Sequence, residues 1–435
     1  MKALIVCCLL ALAVAIAQAW WVDTTLTVAA GPFKLCYNSQ NDKVYCGCRT
    51  SDTVVVIDGA TNAILAWLAV GDQPHDLCYN LQDNKVYCAN SGSGSVTVID
   101  GGTNQVITAV FAGAVPLALC YNASGNKICC ANTDSGGGAV AVIDGAADTL
   151  IAYVPAGDDP RSICYSPQNN MVYCANSASN SVTVVDGGAD TVVARVAVGE
   201  SPQALCCNPE NNKVYVANRG DSTVSIIDGE SNVVIATVPV GETPYGLCYD
   251  SVDNRVFCAN YDADNMTVID GASDLVLATI SVGPQPNACC YCPQYNRVFC
   301  TNRNGPSVSV LDAGAMSVIA TVFVGAGPVA VSCHPQGDKV YTANFDAGTV
   351  TVISAGTGAE ETPTSPAAGS PIPATFARGV LHLSSEGLAA LISPAGLQVM
   401  TLRPGANDVR HLSPGVYFVR SKAGNGRTEG KVMVQ

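Results

Sequence analysis

Residues 244–283 read PYGLCYDSVDNRVFCANYDADNMTVIDGASDLVLATISVG, and this sentence is written eight times. Its VxVID-G turn recurs with aspartates at Asp58, Asp100, Asp144, Asp186, Asp228, Asp270 and Asp312, and Ser354 stands in the eighth place. The spacings are 42, 44, 42, 42, 42, 42 and 42 residues. So strict a period means one supersecondary unit copied in tandem. Each copy holds four short apolar runs, here GLCYD, RVFCAN, MTVID and LVLATISV, bounded by Gly, Pro, Asn and Asp. They are too short for helices and rich in Val, Ile, Tyr and Cys, so they read as strands. Asp-Gly after VID reads as a hairpin with Gly supplying the positive φ, and Asn-Lys or Asn-Arg before VYC or VFC as another. Four antiparallel strands every ~42 residues describe a β-propeller blade.

Eight copies of the first three strands begin after Pro32, Pro74, Pro116, Pro160, Pro202, Pro244, Pro286 and Pro328. The last copy stops at VTVIS (350–354), while TTLTVAAG (24–31) has the pattern of a fourth strand with no first three. Joining these two ends completes an eighth blade and closes the ring, leaving no terminal blade face open. The expected fold is therefore all-β: an eight-bladed propeller over 20–356, with seven blades the alternative, followed by a second, smaller domain.

VYCAN (86–90 and 172–176) and VYVAN (214–218), each followed by a TVxVIDG-like strand and a VxVG-x-x-P segment, resemble the YVTN (YncE-like) propeller repeat, within the wider WD40-like class of repeats. The resemblance covers residues ~22–356 and implies a bacterial or archaeal secreted or surface-layer protein. The chain departs from the family in carrying Cys where Ala or Val is common.

The ends of the chain carry the address. Residues 1–19 combine Lys2, an apolar run from Ala3 to Ala17, and an Ala17-Gln18-Ala19 cleavage pattern, which describes a secretory signal peptide cut before Trp20. No other stretch is apolar enough to span a bilayer, so no membrane span is expected once the signal is removed. After Ser354 a Pro-, Gly-, Ser- and Thr-rich linker (357–374) leads to residues 375–435, with strand signals at 379–384, 389–393, 397–402, 415–421 and 430–435. GLQVMTLRPGANDVRHLSPGVYFVR and the terminal KVMV resemble the C-terminal sorting domain of type IX secretion substrates. That resemblance implies a small β-sandwich, with the type IX secretion machinery as partner of 375–435, and a secreted or cell-surface location.

The net charge of −14, which becomes −15 when Lys2 leaves, argues against nucleic acid and anionic lipid, both of which reward clustered Lys and Arg. Of 21 cysteines, two leave with the signal, and most of the other 19 are locked to the repeat. A first-strand and a second-strand cysteine stand ten residues apart in six copies: Cys36-Cys46, Cys78-Cys88, Cys120-Cys130, Cys164-Cys174, Cys248-Cys258 and Cys290-Cys300. Directly opposed strand residues come within disulfide range, and an exported protein permits the bond. Two states stay open: six cross-strand disulfides, or buried thiols filling the slot that Val216 fills in its own copy.

No catalytic constellation is legible. The four histidines, His75, His334, His382 and His411, are scattered, and no HExxH, GxSxG, CxxCH or P-loop occurs. No metal and no cofactor are expected. The repeated Asp of VIDG and the Asn closing the second strand (Asn90 and its equivalents) read as turn formers.

Comparison of the copies locates a face. The first-to-second and third-to-fourth turns are nearly uniform, whereas the other two turns vary and lie together on the opposite side of the disc. The residue after each Pro reads Phe33, His75, Leu117, Arg161, Gln203, Tyr245, Asn287 and Val329 and should ring one mouth of the central channel. The second-to-third loops on the same face differ too, with Arg49, Asp134, Arg219, Asp221, Tyr261, Asp262, Arg303, Phe345 and Asp346. Divergent loops on a rigid scaffold are where binding residues sit, so the candidate binding residues are Phe33, His75, Arg161, Gln203, Tyr245 and Asn287. The leading expectation is a secreted or surface-displayed, non-catalytic propeller binding a protein, glycan or small ligand there. The alternatives are a structural surface-layer component, or a propeller enzyme of lactonase or quinoprotein type.

Overall fold

The computed structural model describes residues 19–134, 137–334 and 339–356 and, in the C-terminal part, seven strands between 374 and 434. The signal segment before Ala19 and most of the 357–374 linker lie outside the described residues. The chain divides into two compact units, 1–358 and 359–435.

The first unit is an eight-bladed propeller. Seven four-stranded antiparallel sheets follow chain order, starting at residues 32, 74, 115, 160, 202, 244 and 286 (blades 1–7). The eighth pairs Pro328–Cys333, Lys339–Asn344 and Thr349–Gly356 with the N-terminal strand Ala19–Thr27. The closing strand is as expected in kind but not in bounds. It runs five residues further upstream than TTLTVAAG, from Ala19 opposite Gly356 to Thr27 opposite Thr349. The reason is Trp20, which is buried edge-on between Tyr295 and Phe299, at centroid distances of 5.4 and 4.8 Å. Its burial carries the strand through the expected cleavage point.

The core lies between blades. At the closing seam Val44, Cys46, Val55 and Ile57 of blade 1 pack against Tyr341, Ala343, Val350 and Val352 of blade 8. Side chains in strands alternate faces, and second and third strands are apolar on both faces because each face meets a neighbouring blade. A polar latch accompanies this packing. The lysine that opens the second strand reaches the third-to-fourth turn of the next blade: Lys43 Nζ donates to Gly101 O (2.7 Å), Lys85 to Gly145 O (2.9 Å), Lys127 to Gly187 O (3.2 Å) and Lys213 to Gly271 O (3.1 Å). Lys339 donates to Gly59 O (2.7 Å) and so ties blade 8 to blade 1. The fully buried tyrosine of VYC donates its hydroxyl to the same carbonyl, as Tyr87 does to Gly145 O at 3.0 Å.

Two turn details differ from expectation. The glycine after VID does not carry the positive φ, which falls on the residue three places later (Asn62, Asn104, Asp148, Asp190, Asn232, Asp274). At Gly101 the need is closeness: a Cβ there would lie 2.5 Å from Asn38 Nδ2 and 2.6 Å from Asn84 O. The aspartate does form the turn. Asp100 Oδ1 accepts from Thr103 N at 2.7 Å and Asp186 Oδ1 from Ala189 N at 2.9 Å. The Asn closing the second strand is buried, and its amide clasps the third strand: Asn90 Nδ2 donates to Ser95 Oγ and Thr97 Oγ1 (3.1 and 2.9 Å).

Of the two cysteine states left open, the structure has the thiols: none of the six cross-strand disulfides forms. The first hairpin has a four-residue turn, Asn38 opposite Lys43, so opposed residue numbers in blade 1 sum to an odd value, whereas 36 and 46 sum to an even one. Cys36 therefore faces Tyr45, Cys46 faces Leu35, and the two thiols point to opposite faces of the sheet. The same offset separates Cys78-Cys88, Cys120-Cys130, Cys164-Cys174, Cys248-Cys258 and Cys290-Cys300, and all twelve thiols are free. Burial pushes the Cys36 and Cys174 thiols up to about 12, which keeps them protonated and inert. One disulfide does form, between blades, joining Cys292 to Cys333.

The second unit holds two antiparallel sheets. One comprises Ala374–Ala377, Val380–Leu383 and Gly405–Asp408; the other comprises Gln398–Leu402, Ala389–Ile392, Gly415–Ser421 and Thr428–Val434. All five expected strands are present, and 374–377 and 405–408 are additional.

Candidate functional site

The first strands of neighbouring blades lie side by side around the central axis. Each has a proline at its start, or one residue in for blade 3, and proline has no N–H to give to the ladder. Pairing accordingly slips by one just after it, in all eight blades: Pro32 faces Cys48, yet Lys34 faces Gly47. The slip is a β-bulge, a device that re-aims side chains beside functional sites. In seven blades the bulged residue is the one after the proline, and in blade 7 the unpaired stretch begins there. All eight of these residues line one cavity of about 440 Å³ at the channel mouth, including every candidate: Phe33, His75, Arg161, Gln203, Tyr245 and Asn287.

A second tier comes from the residue after the second strand, which follows the buried Asn in seven blades and Cys48 in blade 1. Its backbone N–H is held by the connector leading into the same blade: Arg49 N to Gly31 O (2.7 Å), Arg219 N to Ser201 O (3.1 Å), Tyr261 N to Thr243 O (2.8 Å), Arg303 N to Gln285 O (2.9 Å) and Phe345 N to Gly327 O (2.8 Å). The backbone is uniform while the side chains differ. Arg49, Arg303 and Phe345 reach an outer chamber of about 310 Å³ that shares Phe33, His75, Arg161, Gln203 and Tyr245 with the deeper cavity.

Aromatic and cationic groups interleave around this mouth. Phe33 packs against His75 (4.9 Å) and Phe345 (6.1 Å), with the Arg49 guanidinium 5.1 Å over its ring. Tyr245 lies 5.7 Å from Tyr261, and Arg219 sits 6.0 Å over the Tyr245 ring. His75 Nδ1 donates to Leu117 O at 2.7 Å, since a carbonyl can only accept. Burial lowers the His75 pKa, so the ring is neutral and Nε2 carries the lone pair. Arg161 is half exposed and pairs with Asp159 at 2.8 Å. Asn287 Nδ2 donates to Val329 O at 2.9 Å.

Deeper in the cavity is a charged pair that the divergence of the second position did not bring out. Lys34 Nζ lies 3.0 Å from Asp76 Oδ1, and Asp76 also accepts from Leu77 N and Leu119 N (2.9 and 2.8 Å). Asp76 holds the Lys34 pKa above the usual value. A signal for it existed: the third position of the first strand is charged only in blades 1 and 2, which are neighbours. Asp221 and Asp262, by contrast, turn to their own loops, accepting from Thr223 and Thr243 hydroxyls. No three metal-ligating side chains cluster among the described residues.

Residues 105–292 match the YNCE-like beta-propeller family model. That span holds blades 3 to 6 with parts of their neighbours. No curated protein matches the chain in sequence. Among solved structures, the chain is similar to hydrazine synthase of Kuenenia stuttgartiensis, at TM-score 0.55 and 20% identity over 76% of this chain and 97% of that one. It is also similar to Saccharomyces cerevisiae Sqt1, at TM-score 0.66 and 13% identity over 77% and 97%. At these identities the likeness is one of fold.

Proposed function

We propose that this protein is an exported, surface-displayed, non-catalytic propeller that captures a ligand at the channel mouth on its variable face. One observation carries the reading: the bulge in every blade turns the most divergent position of the repeat into a single cavity. A rigid ring with interchangeable lining is how a repeat scaffold separates stability from recognition. The ligand is a small molecule, or a protruding group of a protein or glycan. The test is a thermal-shift screen of the full chain against small molecules and oligosaccharides, with hits titrated by calorimetry. Ligands of the mouth lose affinity in Tyr245→Ala and Arg161→Ala; hits indifferent to both substitutions would place recognition elsewhere.

Export and display rest on residues 1–19 and 375–435. The resemblance of the C-terminal unit to type IX sorting domains is testable directly. Deleting 375–435 should strand the protein in the periplasm of a host with that machinery, and the mature N-terminus should be Trp20.

A second reading, lateral assembly as a surface layer, is favoured by the outer rim. The fourth strands are free sheet edges, and they expose Leu65, Trp67, Ile107, Phe111, Ile235, Leu277 and Phe323. Apolar edge strands are templates for pairing with another chain. Size-exclusion chromatography of the secreted protein separates the readings: a monomer leaves the mouth as the functional surface, whereas concentration-dependent growth that Trp67→Lys and Phe111→Lys abolish favours assembly.

A further inference from the structure

We infer that the ligand of the channel mouth is a small planar anion, an aromatic carboxylate. This deepens the proposed function and rests on the mouth being a binding site. The protein is strongly acidic, yet the outer chamber is lined by three arginines, Arg49, Arg161 and Arg303, and by no carboxylate. The cations are not equivalent. Arg161 is paired with Asp159, and deeper down Lys34 is paired with Asp76. Arg49 and Arg303 have no ion pair among the described residues, and both are partly shielded from water. A cation-lined chamber in an anionic protein focuses potential on its mouth and draws anions to it.

The chamber is also aromatic. Phe33, Phe345 and Tyr245 line it, and the Arg49 guanidinium already lies over Phe33. Guanidinium recognises a carboxylate through two parallel N–H donors in one plane, and flat rings stack on Phe and Tyr. His75 is neutral, so it presents a lone pair rather than a further charge. At about 310 Å³ the chamber is at the small end of ligand sites and suits a single ring with one acidic substituent.

The test uses the full chain and three probes: benzoate, its neutral isostere benzamide, and inorganic phosphate as a non-aromatic anion. Calorimetry should give saturable benzoate binding that weakens as salt is raised, with phosphate weaker and benzamide at least about tenfold weaker, as for loss of one charge-assisted bond. Arg49→Gln and Arg303→Gln should each weaken benzoate about tenfold by the same reasoning. Arg195→Gln, on an outer strand, should change nothing. Equal binding of benzamide and benzoate, indifference of benzoate to both arginine substitutions, or no benzoate binding at all overturns the inference. A neutral ligand lost in Tyr245→Ala but unmoved by Arg49→Gln and Arg303→Gln would do the same, yet keep the mouth as a binding site.

A separate observation at the sixth position of the first strand carries a second inference. There the blades present Tyr37, Tyr79, Tyr121, Tyr165, Tyr249 and Tyr291, and the series is broken only by Cys207 and Cys333. Cys333 is bonded to Cys292 of the preceding blade. Cys207 also meets a cysteine of its preceding blade, with Cys164 Sγ 2.8 Å from its own Sγ. We propose that Cys164 and Cys207 form a second inter-blade disulfide in the exported protein. The S–S bond forms as both S–H bonds break, and two electrons and two protons pass to a disulfide oxidant that leaves as a dithiol. Peptide mapping of the full chain after incubation with oxidised glutathione and alkylation decides it. A linked 164–207 peptide that is absent from Cys207→Tyr supports the bond; alkylated Cys164 and Cys207 overturn it.

Discussion

On one face of the disc most blades repeat the same bonds: aspartate capping its own turn in seven of them, and lysine in five, with tyrosine in several, reaching the next blade's glycine carbonyl. On the other face the backbone repeats equally well, with the same proline bulge and the same N–H to carbonyl bond behind the second strand, but the side chains it presents diverge. The two faces thus share a scaffold and differ in which atoms the repeat specifies. Where side chains bridge blades, each is constrained by a partner about sixty residues away. Where the backbone alone does the bridging, the side chain is free to diverge, and divergence collects at the channel mouth.

That contrast can be broken most severely at the seam. Deleting residues 19–27 removes the fourth strand of blade 8 and the buried Trp20. The expected result is a melting temperature lower by roughly 10 °C or more, or insolubility, seen by circular dichroism. An unchanged melt would mean that the ring is not held closed there. The next effect belongs to the latch. Lys85→Met strands the nearly buried Asp148, its partner at 2.8 Å, and should cost about 2–3 kcal/mol in denaturant unfolding, short of the full penalty for a deeply buried pair.

Smaller still is the acid response of the uniform face. Hydrogen bonds from their own turns hold Asp58, Asp100, Asp186, Asp228 and Asp270 below the usual carboxylate pKa. A depressed folded-state pKa contributes stability above the unfolded value of about 3.9 and loses it as pH falls through the folded one. Stability should therefore decline below about pH 4, and Asp100→Ala should flatten that slope in pH-dependent unfolding. The variable face should be nearly silent: Gln203→Ala should stay within about 0.5 kcal/mol of the parent. A larger loss would show that the mouth also bears stability.

Much of this was readable in the linear chain, and the failures have a common form. The blade count followed from Pro and VIDG spacing, and the mouth residues from their divergence, because both are local and repeated. The choice between thiols and disulfides turned on parity, since one residue of turn length decides which cysteines share a face, and the spacing of ten does not reveal it. The closing strand was placed too late because Trp20 is held by Tyr295 and Phe299, some 275 residues away. Lys43, Lys85 and Lys127 read as turn residues because their partners lie in another copy.

Periodicity alone determined the class, the number of blades and the side of the disc where the copies part company, because strand alternation and turn chemistry act within a few residues. Only the closed ring decided which thiols meet, which cations lack a carboxylate and which glycines must stay bare. Those are properties of neighbouring blades packed face to face, and a one-dimensional repeat specifies each blade without stating what it will touch.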